Sequence, residues 1–196
     1  MLNRQAKILT DKQQNVALDY LSKTQHPERN RVMFLLSFKA GLRAKEIASL
    51  TWSMITDTEG NVTDTIQLIN SASKGQNGGR VIYLHPKLKD VLQILLKTLD
   101  DLPDGDERII QTQRSKRPSA QTIVNFFQKL YSDLGFEGAS SHSGRRSFIT
   151  QAAKKISSVG GSLEDVRKLA GHSSLGTTQR YIEYDSAAAQ NVVKLV

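Results

Sequence analysis

Apolar residues recur at helical spacing through nearly the whole chain, and one stretch, residues 62 to 84, breaks that period. "DKQQNVALDYLSKT" sets Val16, Leu18 and Leu21 in a helical pattern behind a candidate cap at Asp11. "RNRVMFLLSFKAGLRAKEIASL" carries an apolar run, Val32 to Phe38, that suits a buried helix ending at Gly41. A second helix starts near Ala44 with Ile47 and Leu50 inward, and Trp52 and Ile55 of "LTWSMIT" belong to the core. "VTDTIQLIN" alternates instead, "SASKGQNGG" is turn-like and "RVIYL" is β-branched and apolar, which reads as a β-hairpin. Helical patterns resume in "HPKLKDVLQILLKTL", in "SAQTIVNFFQKLYSDLG", from about Ser143 to Ser157, and in "SLEDVRKLAG". Ser162 and Asp165 form a capping-box-like start for the last of these. The expected fold is mainly α with a small β-hairpin.

The chain has 196 residues, a length that suits one domain. Lys plus Arg number 27 against 19 Asp plus Glu, leaving a net charge of +8 that points to a polyanionic partner such as nucleic acid. With no cysteine, disulfides, thiol chemistry and cysteine metal sites are excluded. No apolar run reaches membrane-spanning length, and "MLNRQAKILTDKQQ" lacks the apolar stretch of a secretory signal, so a cytoplasmic location is expected.

Within "AGHSSLGTTQRYIEYD", His172 and Tyr181 are nine residues apart. On one continuous helix that is about two and a half turns, so the side chains would face opposite ways. They converge only if the helix breaks, and Gly171 supplies the stop. His172 then sits in the turn, Ser174 or Leu175 starts the next helix, and Tyr181 lies one or two turns along it. Arg43 sits between two helices in "AGLRAKE", His142 and Arg145 of "SSHSGRRS" are three apart at a helix start, and Lys74 is at the hairpin tip. A pocket gathering these groups has cations, imidazoles and a phenol but no carboxylate pair. It suits a phosphodiester, whose oxygens arginines grip bidentately, and it requires no metal or other cofactor.

"GLRAKEIASLTW", "HSGRRSF" and "LAGHSSLGTTQRYIE", in this order, resemble the tyrosine recombinases, also called the phage-integrase family. The resemblance covers nearly the whole chain and implies the family's catalytic-domain fold. It implies a site-specific DNA recombinase that integrates, excises or inverts DNA without metal or ATP. Tyr181 would attack the scissile phosphate to form a 3′-phosphotyrosyl link, and Arg43 and Arg145 would clamp that phosphate. His142 and His172 would donate hydrogen bonds or shuttle protons, and Lys74 would protonate the leaving 5′-oxygen. Glu46, one turn beyond Arg43, reads either as half of a weak surface ion pair or as the acidic residue that supports the arginine, and the two readings are compatible.

Tyr184 competes with Tyr181, but the spacing of nine favours Tyr181. His26 and His85 read as surface or cap residues. The family often has leucine before its second arginine and histidine after it, where this chain has Gly144 and Arg146; Arg146 either adds a phosphate contact or faces solvent. The separate amino-terminal DNA-clamping domain common in the family is not expected within this sequence, which leaves residues 1–196 as one catalytic domain, either a short one-domain member of the family or an isolated catalytic domain.

The partner implied is double-stranded DNA. In the basic loop "RSKRP", Arg114, Lys116 and Arg117 would contact phosphates, and Gln121 and Asn125 on the following helix would read base edges. A nucleoid-associated location goes with that partner. The family implies a homotetramer on two DNA duplexes, with a monomer as the alternative off DNA. The last segment, residues 186–196, is expected to form an apolar-striped helix that would dock on a neighbouring subunit or back on its own chain. The competing functions are a type IB topoisomerase-like relaxation activity and a non-catalytic DNA-binding regulator on the same scaffold.

Overall fold

The apolar run from Val32 to Phe38 forms the middle of a helix, α2 (Pro27–Lys39), and every residue of that run is buried. A helix apolar on all sides is covered on all sides. The remaining elements are α1 (Asp11–Ser22), α3 (Ala44–Ser49), a 3-10 turn (Trp52–Met54), β1 (Thr65–Leu68), β2 (Arg80–Tyr83), α4 (Pro86–Lys97) and α5 (Ala120–Asp133). They are followed by α6 (Ser143–Lys155), a second 3-10 turn (Ile156–Val159), α7 (Leu163–Ala170) and α8 (Leu175–Gln179). The structure, a computed structural model, describes residues 5–69 and 79–182. It divides into two compact units, Met1–Phe148 and Ile149–Val196, with the boundary inside α6.

In the first unit α2 packs against α1 and α4, and α3 packs against α5. Trp52 and Ile55 are buried as expected, at 2% and 0% exposure. The two strands pair antiparallel, with Ile66 opposite Ile82 and Leu68 opposite Arg80. Ile66, Leu68 and Ile82 are buried, whereas Val81 and Tyr83 face solvent, so the hairpin follows the two-residue period of a half-buried strand. Phe34 stacks on Phe38, and Phe127, Tyr131 and Phe136 form a second aromatic ladder.

Two details of α1 differ from the sequence expectation. Its cap is Thr10, whose hydroxyl accepts from the Gln13 N–H while the Gln13 side chain accepts from the Thr10 N–H. Asp11 is already the first helical residue. Val16 is exposed because the buried face runs through Gln14, Ala17 and Leu21, and a one-residue offset turns a side chain by about 100°.

Two glycines set how closely the elements of this unit approach. Gly41 follows α2 with φ +63°, and a Cβ there would lie 2.4 Å from the Phe148 ring. At Gly144 an added Cβ would meet Ser37 Oγ at 2.2 Å and Phe38 at 2.8 Å. Gly144 therefore lets the start of α6 lie directly on α2, where leucine has no room. That contact gives a physical reason for this chain's departure from the family pattern.

The second unit is built around α7 and α8, which pack on each other. The Asp165 carboxylate accepts from the Ser162 N–H, completing the expected capping box, and Gly171 ends α7 with φ +60°. Ser174 caps α8 by accepting from the Thr177 N–H. Among the described residues no helix is long and apolar enough to cross a membrane.

Gly41→Ala should destabilise the chain by about 2–4 kcal/mol, since left-handed backbone strain adds to a steric clash. Gly144→Leu, which installs the residue common in the family, should cost about 1–3 kcal/mol rather than stabilise. Urea unfolding of each variant measures both effects.

Candidate active site

Beyond Gly41 the chain buries Leu42 and then presents Arg43 as the residue that caps α3. The Leu42 N–H closes the turn onto the Leu36 carbonyl at 3.1 Å. The Arg43 N–H donates to Glu46 Oε2 at 2.8 Å, and its guanidinium Nη1 donates to Glu46 Oε1 at 3.1 Å. One carboxylate thus fixes both the backbone and the side chain of Arg43. The Glu46 side chain is fully buried while that of Arg43 is 31% exposed, so this is not a surface ion pair. The reading in which Glu46 supports the arginine accounts for it.

Arg80, on β2, is the other partner of Glu46. Its Nη1 donates to Glu46 Oε1 at 2.8 Å and its Nη2 to Oε2 at 3.3 Å. Burial by itself pushes the Glu46 carboxyl up; the hydrogen bonds and charges of Arg80 and Arg43 outweigh burial and hold it below the usual carboxylate range. The sequence analysis did not single out Arg80. The available signal was its parity with Ile82, because two-residue alternation puts a strand's first and third residues on the same, buried face.

Arg145 lies in the first turn of α6, 3% exposed, and its Nη1 donates to the Gly41 carbonyl at 2.6 Å. Of the two arginines, Arg145 is held by the Gly41 carbonyl, and Arg43, two residues beyond Gly41, is held by Glu46. His142 precedes α6 and is exposed, in contrast to Arg145 one turn later. Half-buried Arg146 donates to the Ala6 carbonyl at 2.7 Å and ties the segment before α1 to α6. His85 caps α4, its Nδ1 accepting from the Lys87 N–H.

In the second unit the turn after Gly171 carries His172, 5% exposed. The Arg167 guanidinium donates to the His172 carbonyl at 2.7 Å while Glu164 holds Arg167 from the other side. His172 Nδ1 pairs with the hydroxyl of fully buried Thr178 at 2.9 Å. The imidazole stacks on the Tyr181 ring with centroids 5.3 Å apart and planes 24° from parallel. The chain break does bring the two rings together, although Tyr181 is not on the second helix. α8 ends at Gln179, and Tyr181 follows it, with its N–H bonded to the Thr178 carbonyl and its carbonyl accepting from Thr150 Oγ1 at 2.9 Å. Its backbone is thus anchored at both polar groups, and its ring is half-buried.

Arg114, Lys116 and Arg117 are all exposed on the loop before α5. Gln121 and Asn125 are exposed on α5 and bonded to each other at 2.8 Å, so they share one outward face of the helix. Lys74, Tyr184 and the 186–196 segment lie outside the described residues. Among the described residues, no three His, Asp or Glu side chains gather as a metal site.

Residues 7–187 match the phage integrase family. The tyrosine recombinase XerC of Rickettsia prowazekii (strain Madrid E) is 30% identical over 156 residues, covering 79% of this chain and 47% of that protein. The tyrosine recombinase XerA of Thermococcus onnurineus (strain NA1) is 30% identical over 155 residues, covering 79% and 50% respectively. The chain spans about half the length of these relatives. Among solved structures, the Tn1549 transposon integrase in complex with a circular intermediate DNA superposes with a TM-score of 0.76 at 17% identity, covering 100% of this chain and 67% of that one. The crystal structure of XerA recombinase gives 0.72 at 18% identity, with 100% and 65% covered. Those two likenesses are of fold, whereas the match over residues 7–187 is one of sequence: this chain belongs to the phage integrase family.

Proposed function

We propose that the chain is the catalytic part of a site-specific DNA recombinase that cuts and rejoins strands through a 3′-phosphotyrosyl ester. The observation that carries this reading is the corner after Gly171, which stacks a buried, oriented imidazole on a tyrosine whose backbone is anchored at both polar groups. A nucleophilic side chain needs such a fixed position and a neighbouring proton acceptor. The net charge of +8 and the exposed basic loop favour DNA as substrate.

In the first step the Tyr181 phenol attacks the scissile phosphorus. The bond from phosphorus to the 5′-oxygen breaks as the tyrosyl ester forms. His172 takes part in moving the phenol proton, and Lys74 gives a proton to the leaving 5′-oxygen. Arg43 and Arg145, both pre-oriented in the first unit, neutralise the charge that builds on the phosphate oxygens. His142 adds a hydrogen bond or proton route from its exposed position. In the second step a 5′-hydroxyl of a partner strand attacks the ester and releases Tyr181. The ester conserves the bond energy, so ATP has no role.

Arg114, Lys116 and Arg117 contact phosphates, and Gln121 and Asn125 present one polar face to base edges. Arg146, bonded to Ala6, acts first as a structural tie and adds its charge to the DNA-facing surface. Strand exchange between two duplexes calls for a homotetramer. A nucleoid-associated location follows from the substrate.

A nicked suicide duplex drawn from the DNA flanking the encoding gene should trap a complex resistant to denaturant. Tyr181→Phe should abolish that complex and Tyr184→Phe should retain it; the reverse result refutes the nucleophile assignment. Replacing Arg114, Lys116 and Arg117 together by alanine should flatten the dependence of log K on log salt by about 1 for each phosphate no longer neutralised. An unchanged slope in a binding titration would remove the loop from the interface.

A further inference from the structure

The Glu46 carboxylate holds Arg43 by two hydrogen bonds and Arg80 by two more, with all of its own side chain buried. Charge makes this more than a structural knot. A lone Glu46–Arg43 pair would be neutral overall and would present a phosphate with a guanidinium already balanced by its own carboxylate. With Arg80 added, the three groups carry a net charge of about +1 at neutral pH. The exposures show where that charge is accessible. Arg80 is 10% exposed and its Nε is buried without a hydrogen-bond partner among the described residues, whereas Arg43 is 31% exposed. Arg80 is turned inward on the carboxylate, and Arg43 is the guanidinium of the pair that reaches solvent.

We propose that Arg80 is a positioning residue for DNA cleavage: by satisfying buried Glu46 from strand β2, it lets Glu46 orient Arg43 without cancelling the charge that Arg43 offers to the phosphate. This rests on the recombinase reading above and extends it to a residue that acts through Glu46. It also gives the hairpin a second task, because Arg80 opens β2 opposite Leu68 and ties the strand pair to the start of α3. A guanidinium is required there. Its two nitrogens meet the two carboxylate oxygens, an arrangement that a single ammonium cannot reproduce.

The test uses the full chain and the suicide duplex, reading single-turnover trapping rate at saturating DNA alongside DNA affinity. Arg80→Met should slow trapping by about 10- to 100-fold, less than the 100- to 1000-fold loss typical when a direct stabilising donor is removed. Affinity should change less than threefold, and Arg80→Lys should fall between Arg80→Met and the parent. Glu46→Gln should also be slow, because it leaves two guanidiniums facing a neutral amide. The double variant Glu46→Gln/Arg80→Met should be faster than Arg80→Met alone, since the carboxylate that neutralises Arg43 is gone. A role in stability alone predicts a double variant at least as slow as the slower single. That outcome overturns the proposal, as does a parent-like rate in Arg80→Met or an equal loss of rate and affinity. If Arg80→Met does not fold, Arg80→Lys decides, and a parent-like rate there refutes the need for a fork. A Tyr181→Phe chain that still traps DNA would instead bring down the underlying recombinase reading, so the two failures are told apart.

Discussion

The backbone of Gly41 turns through a left-handed conformation, and the placement of Arg43 and Arg145 rests on that turn. Without a Cβ the residue accepts φ +63° and lets the Phe148 ring close over it. Its carbonyl, turned out of the α2 ladder, takes the Arg145 guanidinium, and Arg43 follows two residues later at the start of α3. One backbone conformation therefore places two cations that are 102 residues apart in sequence. Gly144 works on the same problem from α6, because its missing side chain lets the helix bearing Arg145 lie against Ser37 and Phe38.

Buried charge in this unit is tolerated because it is shared. A fully buried carboxylate is expensive unless its lone pairs and its charge are both answered. Two guanidiniums and one backbone N–H answer those of Glu46 from α3 and from β2. Such a network is rigid because breaking either ion pair leaves the carboxylate under-satisfied in a medium that solvates it poorly. Rigidity suits the proposed role of Arg43 in meeting developing charge, since a pre-oriented guanidinium does not have to reorganise during reaction. In the second unit the same economy appears with neutral groups: Thr178 holds the His172 ring, and Thr150 holds the Tyr181 backbone.

Much of this was legible in the residues themselves. The helical runs, the alternating strands and the helix starts at Ser162 and Ser174 are local consequences of side-chain shape and short-range hydrogen bonding. So is the stop at Gly171, from which the approach of His172 and Tyr181 follows. The departures are also local. Asp11 and Thr10 are both good capping residues, and only the reciprocal bond with Gln13 selects Thr10. Val16 fits an apolar pattern by type, but the face that α1 buries depends on what packs against it. Tyr181 falls beyond α8 because that helix ends after about a turn and a half, a length no propensity scale predicts.

What the amino-acid order determined by itself is the set of elements, their ends, and the list of groups able to handle a phosphate, because these depend on neighbours within a few residues. What only the tertiary structure decided is which partners those groups bond to, pair with or stack on. Arg80 was one arginine among many until β2 carried it to a carboxylate on α3, and Glu46 read equally as a surface ion-pair partner or as a support for Arg43 until folding removed its water. Burial and long-range pairing arise from contacts between segments far apart in the chain, and they set both the charge a side chain can keep and the direction in which it points.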